Sequence, residues 1–160
     1  MKSIKLITLI GVASATFSVS ASATDRDVNF RGLINNSCSL VVLNDGLLGV
    51  SADQTVLSSK ESGGLQGRIS AVTNGFGNTI EIISPSGFTV GPPSADVNTI
   101  FETEYSTSGG TVLSNLLGVV VSILGIGTTT IDIDATATKT SGTFESGAYE
   151  LTTVVRCVVP

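Results

Sequence analysis

The chain has 160 residues, 41% of them hydrophobic and only 13% charged, and its 13 acidic residues outnumber its 8 basic ones. It contains no histidine and no tryptophan. The acidic balance excludes the basic footprint of a nucleic-acid binder, and the missing histidine removes the commonest general base and transition-metal ligand.

At the N-terminus Lys2 and Lys5 precede an apolar run from Leu6 to Val19, which ends in Ala21-Ser22-Ala23. A basic start, a short apolar stretch and a small-x-small end predict a secretory signal peptide over residues 1–23. Thr8, Ser14, Thr16 and Ser18 interrupt the run, and a membrane span needs about 20 mostly apolar residues. No membrane insertion is therefore expected once the leader is removed. Residues 24–160 are expected to form a single domain. Loss of Lys2 and Lys5 leaves six basic against thirteen acidic groups, a net charge of −7, which repels anionic surfaces.

The remaining chain is rich in Thr, Ser, Val, Ile and Gly, which suit half-buried strands separated by tight turns. Asp27–Ile34 alternates, with Val28, Phe30, Gly32 and Ile34 on one face and Asn29, Arg31 and Leu33 on the other. A strand over Ser37–Leu43 carries Cys38, Leu40 and Val42 together, and Asp45-Gly46 turns the chain into Leu47–Val50. Thr55–Leu57 is a short strand, and Ser58–Gly64 reads as an exposed polar loop. Strands follow at Gln66–Val72 and Asn78–Ser84, separated by Asn74-Gly75. A short one is expected at Phe88–Val90 and another at Asn98–Tyr105.

Thr111–Ile126 has two readings. Leu113, Leu116, Leu117, Val120 and Leu124 fit a helical stripe, while Gly118, the Val119–Val121 run and the scattered Ser and Asn residues oppose a helix. The preferred reading is buried strand with a bend near Gly118. Thr130–Thr138 alternates cleanly, Ile131, Ile133, Ala135 and Ala137 against Asp132, Asp134 and threonines, so a half-exposed strand is expected. Tyr149–Val159 closes the chain with Tyr149, Leu151, Val155, Cys157 and Val159 on one side.

An exported protein with two cysteines defaults to one disulfide. Cys38 and Cys157 would close a loop of 119 positions, worth about 4–5 kcal/mol in the chain-entropy model. A reactive thiol pair is the alternative, with Arg156 as its only support. Together these features predict an all-β, Ig-like or pilin-like Greek-key β-sandwich of seven to nine strands.

Chemistry has few candidates. Asp132 and Asp134 share one strand face, as do Glu102 and Glu104, but calcium takes six to eight oxygens, and a glycosidase pair lacks aromatic platforms here. Both pairs read first as solvated strand faces. A Ser58 or Ser59 dyad with Lys60 is conceivable, yet the segment reads as a loop. Gly75-Phe76-Gly77 and Gly125-Ile126-Gly127 are turns without a phosphate-binding context. The expectation is a protein without enzymatic activity or cofactor.

Val28-Asn29-Phe30-Arg31-Gly32-Leu33-Ile34-Asn35-Asn36-Ser37-Cys38-Ser39-Leu40 resembles the first strand of type 1 fimbrial pilins: Phe-basic-Gly, aliphatic residues, then Cys and an aliphatic two residues on. Asp53-Gln54-Thr55-Val56 is similar to the segment that follows in those subunits. Gly147-Ala148-Tyr149 through Cys157 resembles the closing strand of small secreted Ig-like proteins. The chain departs from pilins in a Phe30–Cys38 spacing one residue shorter and in pairing Cys38 with a distant cysteine. It also lacks room between Thr24 and Val28 for the arm with which fimbrial subunits complete a neighbour.

The resemblance implies a self-complete, pilin-like sandwich in the periplasm, at the cell surface or fimbrium, or outside the cell. Its partner would be another protein or a second copy, met through strand edges and loops, with Val28, Phe30, Gly32 and Ile34 as the partner-binding edge. A tip subunit, a minor pilin and a free-standing secreted protein all fit. A secreted ligand- or glycan-binding module is the alternative.

Overall fold

The computed structural model describes residues 26–117 and 122–160; the expected leader, 1–23, lies outside them. The chain divides after Leu33 into two units. The described part of the first, Arg26–Leu33, is irregular and exposed. The second, Ile34–Pro160, carries all the regular structure.

Its described residues form ten strands: β1 (Cys38–Asn44), β2 (Gly49–Val50), β3 (Val56–Ser58), β4 (Gly67–Thr73), β5 (Thr79–Ile83), β6 (Thr99–Gly109), β7 (Leu113–Leu117), β8 (Ser122–Ile123), β9 (Gly127–Lys139) and β10 (Val154–Val158). Seven build one sheet, with β1-β4-β9-β3-β2 in order and β6 and β7 joined to β9, and three build a second, β10-β5-β8. Every pairing is antiparallel. The fold is a β-sandwich, and no helix occurs among the described residues. The count exceeds nine because β2 and β8 are two-residue strands.

β9 organises the large sheet. β6 pairs along one of its edges from Thr99↔Lys139 to Gly109↔Thr129. Its other edge is shared, with β4 pairing as far as Ile133 and β3 taking over from Thr136. The alternation in the sequence turns Ile131 and Ile133 inward, where they join Ala71, Ile80, Ile82, Tyr105 and Leu124 in the main core. Each such buried aliphatic side chain contributes about 1.5–3 kcal/mol. The Tyr105 hydroxyl is within 2.9 Å of Ser122 Oγ, so its polar end is satisfied inside the core.

A second cluster covers the far end of β9. Leu57, Ala137 and Phe144 are buried there, with Phe88, Phe101, Tyr149 and Leu151 packed against them. Phe88 meets Phe101, Phe144 and Tyr149 edge-on at 5.0–5.8 Å, the arrangement aromatic quadrupoles prefer. Lys139 pins the neighbouring loop. Its ammonium donates to the carbonyls of Ser94 (2.8 Å), Ala95 (3.0 Å) and Val97 (2.7 Å) and lies 5.0 Å from the Phe144 ring centre.

Several expectations change. Within Thr111–Ile126 the described residues form β7 and β8, pairing with β6 and β5, but Leu117 and Ile123 are exposed, so the expected buried strand is a partly exposed one; the expected bend near Gly118 falls outside the described residues. The closing strand is shorter than Tyr149–Val159, because Tyr149 and Leu151 pack into the second cluster and Glu150 makes only an isolated bridge to Val90. Asp27–Ile34 is not a strand at all. Alternation makes a segment able to pair, but a strand forms only where a partner supplies the other half of the ladder.

The cysteines are bonded, with Cα atoms 6.3 Å apart. Cys38 opens β1 at one edge of the large sheet, and Cys157 lies in β10 at one edge of the small one, so the bond staples the layers together. Replacing both cysteines with serine is expected to lower the unfolding free energy by about 2–5 kcal/mol, read from urea denaturation. A loss below about 1 kcal/mol would show that packing alone holds the sheets in place.

Candidate interaction surface

The four carboxylates singled out in the sequence do come together. Glu104 lies directly opposite Asp134 across the β6–β9 ladder, with Glu102 opposite Thr136 and Asp132 opposite Ser106. Directly paired residues share a sheet face, so all four occupy the outer face. Each of three is already engaged. Glu104 pairs with Lys60. Asp132 accepts from Arg68 at 2.5 Å, and that contact raises the Arg68 pKa above its ordinary value.

Asp134 is buried, against the expectation of a solvated face. It sits where β9 passes from β4 to β3, a gap that the diverging neighbours fill from both sides. Ser59 Oγ donates to its Oδ1 (2.6 Å) and Gln66 Nε2 to its Oδ2 (2.7 Å). Ser59 also donates its backbone N–H to Ala135 O (3.0 Å) and accepts from Ala135 N–H (3.2 Å). The Ser58–Gly64 loop is thus docked on the sheet at its start, since Ser58 Oγ also bonds Thr136 Oγ1. Lys60 turns to Glu104. No group of three or more potential metal-ligating side chains converges among the described residues.

On the inner side of the same gap lies an open groove of about 510 Å³. Val42, Leu47, Leu48, Ile69, Ile133, Ala135 and Leu151 supply its apolar lining, and Asp45, Arg68 and Glu150 are its charged members. Asn44 of β1 contributes on one side, Thr152 and Thr153 leading into β10 on the other. Among the described residues β1 pairs only with β4 and β10 only with β5, as β2, β7 and β8 also pair with one neighbour each. β1 carries no charge, and the single charge of β10, Arg156, is paired with Glu81. The β1 edge therefore lacks the charges that commonly block strand addition.

The proposed partner-binding residues belong to no strand. Val28 is 73% exposed, Phe30 94% and Ile34 87%, and Gly32 is also exposed. A smaller cavity of about 290 Å³ lies among Gln54, Leu57, Phe144, Glu145, Ser146 and Tyr149. Burial, then the Glu145 charge, raises the Tyr149 phenol above its ordinary pKa. Gln54 is held at φ 60°, an uncommon conformation for its residue type, beside a turn built by Asp53. The groove had no signal in the sequence, because it depends on which strands pair rather than on any one segment.

No family model matches this chain, and neither a curated protein nor a solved structure is detectably similar to it.

Asp134→Ala is expected to cost about 1–3 kcal/mol by leaving Ser59 and Gln66 without their acceptor, measured by urea unfolding. An unchanged midpoint would show that the carboxylate holds nothing. Asp53 accepts from Ser51 Oγ and from the hydroxyl and amide of Thr55, which lower its pKa from the ordinary 3.8. Its contribution is therefore complete above that value and is lost as pH falls through the lowered folded one. The stability difference between wild type and Asp53→Asn should shrink in acid; a difference that grows there would reverse the sign.

Proposed function

We propose that this chain is an exported bacterial structural or interaction protein, pilin-like in design, that works by strand addition: Asp27–Ile34 of one copy enters the groove of a second. The single observation behind this reading is Phe30. An aromatic ring 94% exposed, in a segment whose Val28 and Ile34 are also uncovered, lacks the burial such side chains normally find. The groove offers a counterpart, an apolar lining beside the uncharged free edge of β1. Seven residues from Val28 to Ile34 span about 23 Å as a strand, the same number of residues as β1. Backbone pairing with an edge would supply affinity, and alternate side chains on the floor would supply specificity.

The reading places the protein in the periplasm, at the cell surface or fimbrium, or outside the cell, with a role in a fimbria or in adhesion and no catalytic step. The leader and the disulfide agree with export. A secreted ligand- or glycan-binding module is the second reading. The smaller cavity favours it, with Phe144 and Tyr149 beside Gln54, Glu145 and Ser146.

The test is sizing chromatography of the exported full chain over a concentration series. Wild type should form larger species, and Phe30→Asp should remain monomeric with an unchanged urea midpoint. A Phe30→Asp monomer should still bind a synthetic peptide of residues 26–35, with the Phe30→Ala peptide at least about tenfold weaker. A wild-type monomer at every concentration that ignores the peptide would remove the reading.

A further inference from the structure

The segment joining the exposed arm to β1 is tied down by asparagines. Ser37 donates its N–H to Asn74 Oδ1 (2.7 Å), and Asn74 returns Nδ2 to Asn35 O (3.0 Å) and its own N–H to Ser37 O (3.3 Å). Asn36 Nδ2 reaches Phe76 O (3.2 Å), while Asn36 Oδ1 accepts from Asn78 Nδ2 (2.9 Å). Asn78 is fully buried, and its Nδ2 also reaches Gly75 O (3.1 Å). Its Oδ1 is buried without a hydrogen-bond partner. That orphan acceptor costs stability, and rule-breaking polar groups concentrate where function demands them.

Three asparagine side chains are spent on residues that belong to no strand and are largely exposed. Domain stability gives little reason for them. Without the clamp, Asn35-Asn36-Ser37 has turn-forming composition, and the alternating arm before it could double back on the uncharged free edge of its own β1. With the clamp, the amide and carbonyl of Ser37 are committed to the 74–78 turn. The arm then leaves at the Cys38 end of β1, whereas the groove is lined from the other end, by Val42 and Asn44.

We infer that Asn36, Asn74 and Asn78 form a positioning clamp that keeps the arm off its own sheet edge, so that it remains available to a second copy. The inference rests on the strand-addition reading above. A donor site and an acceptor groove at opposite ends of one strand make the contact heterologous, which extends into open chains rather than closing as a dimer.

The test uses Asn74→Ala in the full chain, with Asn36→Ala as an independent break should the first fail to fold. Near-UV circular dichroism checks that each variant is native. In the Phe30→Asp background, which cannot donate an arm, Asn74→Ala should bind the 26–35 peptide within about twofold of its parent, since the acceptor groove is untouched. With the arm intact, Asn74→Ala should assemble at least fivefold more slowly, and amide exchange in monomer should show residues 28–34 newly protected. Assembly at the wild-type rate, with the arm amides unprotected, would overturn the clamp while leaving strand addition standing. Failure of the peptide to bind the Phe30→Asp chain would overturn strand addition and the clamp with it.

Discussion

Backbone amides and carbonyls in a β-protein must find partners in a ladder or in water, and the arrangement of this chain follows from where that pairing stops. β1 and β10 each satisfy one edge only. They lie in different sheets and are joined through Cys38 and Cys157, so the two free edges are held near one another. Inward alternation buries Ile80, Ile82, Ile131 and Tyr105, together with the threonines Thr103, Thr107 and Thr129.

β9 explains why the opening has its shape. A thirteen-residue strand is longer than either neighbour on its second edge, so β4 and β3 share it and leave Asp134 and Ala135 between them. On the outer face the gap is closed by polar groups, Ser59 and Gln66 gripping a carboxylate that is buried without a cation. On the inner face it widens into the groove that Ile133 and Ala135 line. One mismatch of strand lengths thus produces both the buried acid and the groove.

Much of this was legible in the residues, and the limits are physical ones. The alternation of Thr130–Thr138 placed β9 and its inward face, and two cysteines behind an expected leader pointed to the disulfide. The Thr111–Ile126 stretch carried a helical leucine stripe, but Gly118 and the valine run favoured strand, which β7 and β8 adopt. Non-local facts were beyond reach. Nothing near Asp134 announces that a loop seventy-five positions earlier will cover it. Asp27–Ile34 had the pattern of a first strand, and reading it as one hid the arm, because alternation records which face is apolar and not what will pair with it.

Arm, edges and groove form a single system only if the arm acquires a ladder when copies meet. Amide hydrogen exchange on the wild-type protein, followed from dilute to concentrated solution, measures this most directly. Strand addition predicts that residues 28–34 and the free edge of β1 or β10 slow together as concentration rises. Arm amides that exchange at unstructured rates at every concentration, with both edges equally unchanged, would contradict the account.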